Sequence, residues 1–142
     1  MKILVATDGS RFSEAAIEKA CEFAKGKEQL SFKVVSVYEP QIPMAAEPYA
    51  LSAEYYQRLD DFAQQRAEEV AKAAADLIRN RLPDAAEITT LVDLGRPAQV
   101  IVEAAERWGA DVILAGSHGQ SFWGRLAIGS VSDAALRVPC WS

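Results

Sequence analysis

The chain has little of what metal centres and disulfide frameworks are built from. Among its 142 residues are two cysteines and one histidine. Cys21 falls on a predicted helix face, Cys140 stands beside Pro139, and there is no C-x-x-C pair. A zinc site or disulfide scaffold is therefore not expected, and both thiols are read as free, Cys21 as a core filler. Also lacking is an apolar run of the roughly 18 residues a membrane-spanning helix requires. The start, Met1-Lys2-Ile3-Leu4-Val5-Ala6, meets Asp8 too soon for a secretory leader, so the expected compartment is the cytoplasm, with no membrane insertion. Cations are in the minority, 15 Lys and Arg against 20 Asp and Glu, for a net charge of −5. Nucleic acid and anionic membrane surfaces attract basic patches, so neither is expected as a partner. An anionic ligand would have to be held by local donors.

Half of the residues are hydrophobic, and the length suits one domain, spanning 1–142. Lys2 to Thr7 is an apolar run that ends in the polar turn Thr7-Asp8-Gly9-Ser10, which predicts a buried central strand. From Ser13 to Ala24 the apolar residues Ala16, Ile17, Ala20, Cys21 and Ala24 follow helical spacing, with Ser13 placed to cap and Gly26 to stop the helix. Phe32 to Tyr38 reads as a second strand. Residues 40 to 53 contain Pro40, Pro43 and Pro48 and predict a long loop able to cover a site. Glu54 to Arg81 predicts a long helix with Phe62, Val70, Ala74, Leu77 and Ile78 on its inner stripe, ended by Pro83. Glu87 to Asp93 is a third strand. Gly95-Arg96-Pro97 turns into a helix that runs to about Arg107, with Val100, Ile101, Ala104 and Ala105 inward and Gly109 at its end. Asp111 to Ala115 is a fourth strand, and Ser130 opens a helical pattern with Val131, Ala134, Ala135 and Val138 on one face. The order β-α-β-α-β-α-β-α predicts an open, doubly wound parallel sheet with helices on both faces. Ligands of such sheets bind beyond the carboxyl ends of the strands.

At one of those ends stands Gly116-Ser117-His118-Gly119, and nine residues later Gly129-Ser130. Glycines at these positions let a backbone approach a ligand closely, and a helix starting at Ser130 would aim unpaired N–H groups at an anion. One helix end contributes only about 0.3–1 kcal/mol per exposed charge, so several donors, and a metal, would have to combine. The plainer alternative is that these glycines only shape turns. Asp8 can accept hydrogen bonds from ribose hydroxyls or reach a metal, or it can cap its own turn. Val37 can offer main-chain groups to an adenine edge, or its side chain can be ordinary core. His118 has no partner spaced to form a catalytic dyad, so its amide counts for more than its ring. Ser130 and Ser132 can donate to phosphate, although Ser130 can equally cap its helix. Arg125 can meet a terminal phosphate or face water, and Phe122 and Trp123 are read as packing residues.

These residues resemble the universal stress protein family, whose nucleotide-binding members carry G-x2-G-x9-G-[ST]. Gly116, Gly119, Gly129 and Ser130 match that motif. The likeness extends over nearly the whole chain, through Val5-Ala6-Thr7-Asp8-Gly9-Ser10, Gly95-Arg96-Pro97 and Gly109-Ala110-Asp111-Val112-Ile113. It implies a Rossmann-like, adenine nucleotide α-hydrolase-like fold and a metal-assisted site for ATP, ADP or AMP, with Mg or Mn. By position it implies nucleotide contacts from Ala6, Thr7, Asp8, the backbone of Val37, Gly116, His118, Gly119, Gly129, Ser130, Val131 and Ser132.

Family members usually follow the proline after the last helix with a fifth strand that often mediates dimerisation. Here Val138-Pro139-Cys140-Trp141-Ser142 stands in that place. The final strand is therefore expected to be lacking, whether by nature or because Trp141-Ser142 begins an appended tag, and Val112 to Ala115 to lie at a sheet edge. A homodimer is expected nonetheless, to cover apolar surface. The resemblance implies a stress-response or signalling module that binds nucleotide, works through its occupancy, is not an enzyme and addresses an unidentified protein partner. Two alternatives remain open. One is a slow ATP-hydrolysing enzyme, against which stand the lack of a G-x4-G-K-[ST] motif and of a general base. The other is a partner-binding module that has lost its nucleotide.

Overall fold

Four consecutive buried residues, Ile3 to Ala6, make β1 (Lys2–Ala6) a strand covered on both faces. Such a strand belongs inside a sheet. In the computed structural model, which describes residues 1–39, 52–85 and 87–115, β1 runs parallel between β2 (Ser31–Tyr38) and β4 (Val112–Ala115). β3 (Glu87–Leu94) pairs in parallel with the far side of β2, which gives the order β3-β2-β1-β4. The expected central strand is thus central. Strand order runs outward through β2 and β3, then reverses, so the switch lies between β1 and β4.

Three described helices connect the strands: α1 (Arg11–Ala24), α2 (Ala53–Arg81) and α3 (Pro97–Trp108). Right-handed crossovers put α1 and α2 on one face, because β1 to β2 and β2 to β3 step the same way, and α3 on the other. The core divides accordingly. Ile3, Val5, Phe32 and Val34 meet Ile17 and Ala20 of α1 and Ala71 and Ile78 of α2. Leu4, Ala6, Val35 and Ala115 meet Ile101, Ala104 and Ala105 of α3. Alternate residues of β1 therefore serve opposite layers, as the two-residue period of a strand requires. Helices on both faces of a parallel sheet are the fold the element order predicts.

The ends of the helices follow their chemistry, with two differences from expectation. Ser10, not Ser13, caps α1: its Oγ accepts from Ser13 N at 3.3 Å. The helix starts as soon as the Asp8-Gly9 turn closes, which leaves Ser13 fully buried inside the first turn. In α2, Val70 and Leu77 are half-buried and Ala74 and Ile78 buried, but Phe62 is 67% exposed rather than inward. The cause is length. A helix of 29 residues spans about 43 Å, whereas an eight-residue strand spans about 26 Å. The first turns of α2 overhang the sheet, and burial begins at Ala67. Ser52 caps this helix by accepting from Tyr55 N at 3.3 Å, so the predicted loop ends before Ala53, and residues 40–51 lie outside those described. Pro97 opens α3 and Gly109 closes it at φ 74°, the left-handed conformation glycine adopts without strain. The helix expected from Ser130 and the expected lack of a final strand also fall outside the described residues.

Candidate functional site

The site begins where β1 ends. Ala6 is buried as the last residue of the strand, paired in register with Val35 on one side and Ala115 on the other. Thr7 continues the ladder by one bond, its N–H donating to the Val35 carbonyl at 2.9 Å. Its side chain turns away from the crevice into the layer under α1. There the Thr7 hydroxyl donates to Ser13 Oγ at 3.1 Å and accepts from Gly9 N at 3.2 Å. Ser13 Oγ in turn donates to the Ser10 carbonyl at 2.8 Å. Asp8 is exposed, and its Oδ1 accepts from Ser10 N at 2.9 Å. The carboxylate therefore does cap its own turn, and that bond fixes its direction without removing it from solvent.

Gly9 completes the turn at φ 81°. A β carbon there would lie 2.9 Å from Val70 Cγ2, so α2 presses directly on the backbone of the turn. Beside this contact a cavity of about 300 Å³ opens between α1 and α2, lined by Thr7, Gly9, Glu14, Arg66, Glu69 and Val70 among others. A second cleft, of about 220 Å³, follows α3 over Lys33, Leu91 and Trp108, away from the β1–β4 switch. Its aromatic wall is fixed at the amino end of the sheet, where the Lys2 and Lys33 ammonium groups stand 5.6 and 5.1 Å from the Trp108 ring centre. Val37 is half-buried near the end of β2 and packs against the α3 layer.

Ala6, Thr7, Asp8 and Val37 thus occupy the carboxyl ends of two adjacent strands. Gly116, His118, Gly119, Gly129, Ser130, Val131 and Ser132, with Arg125, lie outside the described residues. What the register does establish is that Ala115, the residue preceding the glycine motif, pairs with Ala6, the residue preceding Thr7-Asp8. Sequence reasoning missed Ser13, which was read as a cap, and Val70, which was read only as core. Neither contact carries a local sequence signal, since each joins residues from different parts of the fold. Among the described residues no three His, Cys, Asp or Glu side chains converge as a metal cluster would require. Cys21 is free and buried; burial raises its thiol pKa, opposed by Arg81 and assisted by Glu18.

The likeness to known proteins covers almost the entire chain. The profile of the universal stress protein family matches residues 1–140. A universal stress protein of Thermus aquaticus is 36% identical over 141 residues, covering 97% of this chain and 93% of that one. A putative universal stress protein of Staphylococcus epidermidis is 30% identical over 140 residues, covering 97% of this chain and 79% of its own. Among solved structures, the universal stress protein UspA of Lactobacillus plantarum superposes with a TM-score of 0.70 at 21% identity, covering 99% and 97% of the two chains. The Archaeoglobus fulgidus universal stress protein, solved in complex with dAMP, has a TM-score of 0.65 at 21% identity, with 96% of each chain covered. A family protein from Arabidopsis thaliana, solved with AMP bound, gives 0.62 at 15% identity over 98% and 91%. With the sheet order, the Thr7-Asp8 turn at the strand switch and the glycine spacing after β4 all agreeing with this match, the chain belongs to the universal stress protein family.

Proposed function

We propose that this chain binds an adenine nucleotide across the carboxyl ends of β1 and β4 and works through its occupancy rather than through turnover, as a stress-response or signalling module. The observation that carries the reading is the register of Ala6 with Ala115, because it brings the residues preceding Thr7-Asp8 and those preceding the glycine motif to one level of the sheet. Open parallel sheets bind ligands at such a reversal. Relatives of the same fold were solved with dAMP and with AMP, which supports an adenine nucleotide as the class.

In this reading the exposed Asp8 carboxylate accepts hydrogen bonds from the ribose, and the main chain of Val37 reads the adenine edge. Ala6 and the Thr7 backbone form the floor. Gly116, His118, Gly119, Gly129, Ser130, Val131 and Ser132 supply N–H and hydroxyl donors to the phosphates. Magnesium or manganese bound with ATP would take its ligands from phosphate oxygens and water, the habit of magnesium at nucleotide sites, and leave the Asp8 carboxylate to the ribose. The protein acts in the cytoplasm as a homodimer, and nucleotide occupancy biases its surface for a protein partner.

Thermal unfolding with ATP, ADP and AMP, each with and without magnesium, tests the reading. A ligand at about 100 times its dissociation constant should stabilise the fold by about 2.7 kcal/mol. Gly116→Val should abolish the shift, and steady-state ATP turnover should stay below roughly 1 per second, the lower range of ordinary enzymes. The absence of a shift with every adenine nucleotide would reject the site. Gel filtration that gives a monomer at high concentration would reject the dimer.

A further inference from the structure

We propose that Ser13, in the first turn of α1, is a positioning residue for the nucleotide site: it holds the turn that presents Asp8 through a buried chain of hydroxyl groups. The inference rests on the nucleotide reading above and adds to it a residue that touches no ligand.

The chain of bonds runs one way. Gly9 N–H donates to Thr7 Oγ1, the Thr7 hydroxyl donates to Ser13 Oγ, and the Ser13 hydroxyl donates to the Ser10 carbonyl. Ser13 is fully buried and Thr7, at the edge of the cavity it lines, is 7% exposed, so the two hydroxyls are satisfied by each other and by the turn. Each hydroxyl uses its single proton, and its orientation is set by the next acceptor. The chain ties down residues 7, 9 and 10, those flanking Asp8, while the Asp8 carboxylate itself accepts from Ser10 N. The turn is also backed by α2, where Gly9 lies against Val70 so closely that a β carbon would stand 2.9 Å from Cγ2. Asp8 is thus exposed at its tip and held at its base from two sides. A carboxylate already aimed at its ligand loses less freedom on binding, and that advantage belongs to whichever residues aim it.

A purely structural role for Ser13 would weaken all ligands alike. A positioning role acts only through Asp8, and therefore only on ligands with ribose hydroxyls. The test compares ATP with 2′,3′-dideoxy-ATP by calorimetry on the full chain. The wild-type protein should bind ATP about tenfold more tightly, the value of a hydrogen bond to a charged group. Ser13→Ala should lower ATP affinity about tenfold and leave dideoxy-ATP within about twofold, so that the preference collapses. Ser13→Cys, which fills the same place with a weak donor and acceptor, should shift the preference in the same direction and carries the test should Ser13→Ala fail to fold. A variant that keeps the wild-type preference, or that weakens both nucleotides equally, overturns the role of Ser13 alone. If the wild-type protein binds both nucleotides equally, the ribose assignment of Asp8 falls and the inference with it. Binding of neither would reject the nucleotide reading itself.

Discussion

Asp8 owes its place to neighbours that never meet the solvent it faces. The buried hydroxyls of Thr7 and Ser13 lie beneath it, and Val70 backs the adjoining glycine. Asp8→Ala should lower adenosine nucleotide affinity about tenfold while leaving the fold intact, since the side chain is exposed; calorimetry and the melting temperature measured together separate these effects. Gly9→Ala should cost about 1–3 kcal/mol in denaturant unfolding, from a left-handed φ and a β carbon against Val70. Adding Val70→Ala should return only the part due to the clash. At Cys21 the raised thiol pKa comes chiefly from burial. The folded state thus holds its proton to higher pH than the unfolded chain. The resulting stability is present below the ordinary thiol value and is lost as pH rises through it toward the folded value. Cys21→Ala should flatten that alkaline decline, as read from denaturation midpoints across the range. That Asp8 stands in the turn after a buried strand and that Cys21 is core were legible in the sequence. That Ser13 acts sideways rather than as a cap was not, because its partner Thr7 reaches it only when strand and helix are folded together.

At the scale of the element, hydrophobic period and punctuation carry most of the information. Ala16, Ile17 and Ala20 recur on one face of α1 and are buried there, and Pro97 and Gly109 bracket α3. Ser10→Ala removes the cap of α1 and should cost about 1 kcal/mol. Ile78→Ala, in the fully buried stripe of α2, should cost about 2–5 kcal/mol. Phe62→Ser should stay within about 0.5 kcal/mol of the wild-type protein, because the ring lies on the exposed overhang. Urea unfolding of the three variants checks all of these values. Phe62 satisfies the same helical spacing as the buried residues after it. Its exposure was illegible because periodicity records which face a residue shares, while the length of the neighbouring strands decides how far that face is covered.

For the molecule as a whole, the alternation of strands and helices was enough to predict a parallel sheet with helices on both faces. Two apolar layers follow from β1 alone, whose adjacent residues Leu4 and Val5 serve opposite clusters. The position of the strand switch is a different kind of fact. It depends on β4 pairing with β1, across more than a hundred residues of chain, and Ala6 meets Ala115 only through that pairing.

What the sequence determined by itself was therefore local and periodic. Buried runs became strands, helical spacing became helices, glycine and proline marked most of their ends, and the glycine motif with Thr7-Asp8 pointed to the family. These properties act over a few residues, where backbone sterics and the apolar pattern are sufficient. Only the tertiary structure decided that β1 separates β2 from β4, that Thr7 turns into α1 rather than into the crevice, and that Val70 presses on Gly9. Each of those contacts joins residues from different elements, and packing two surfaces against each other is a property of neither sequence segment alone.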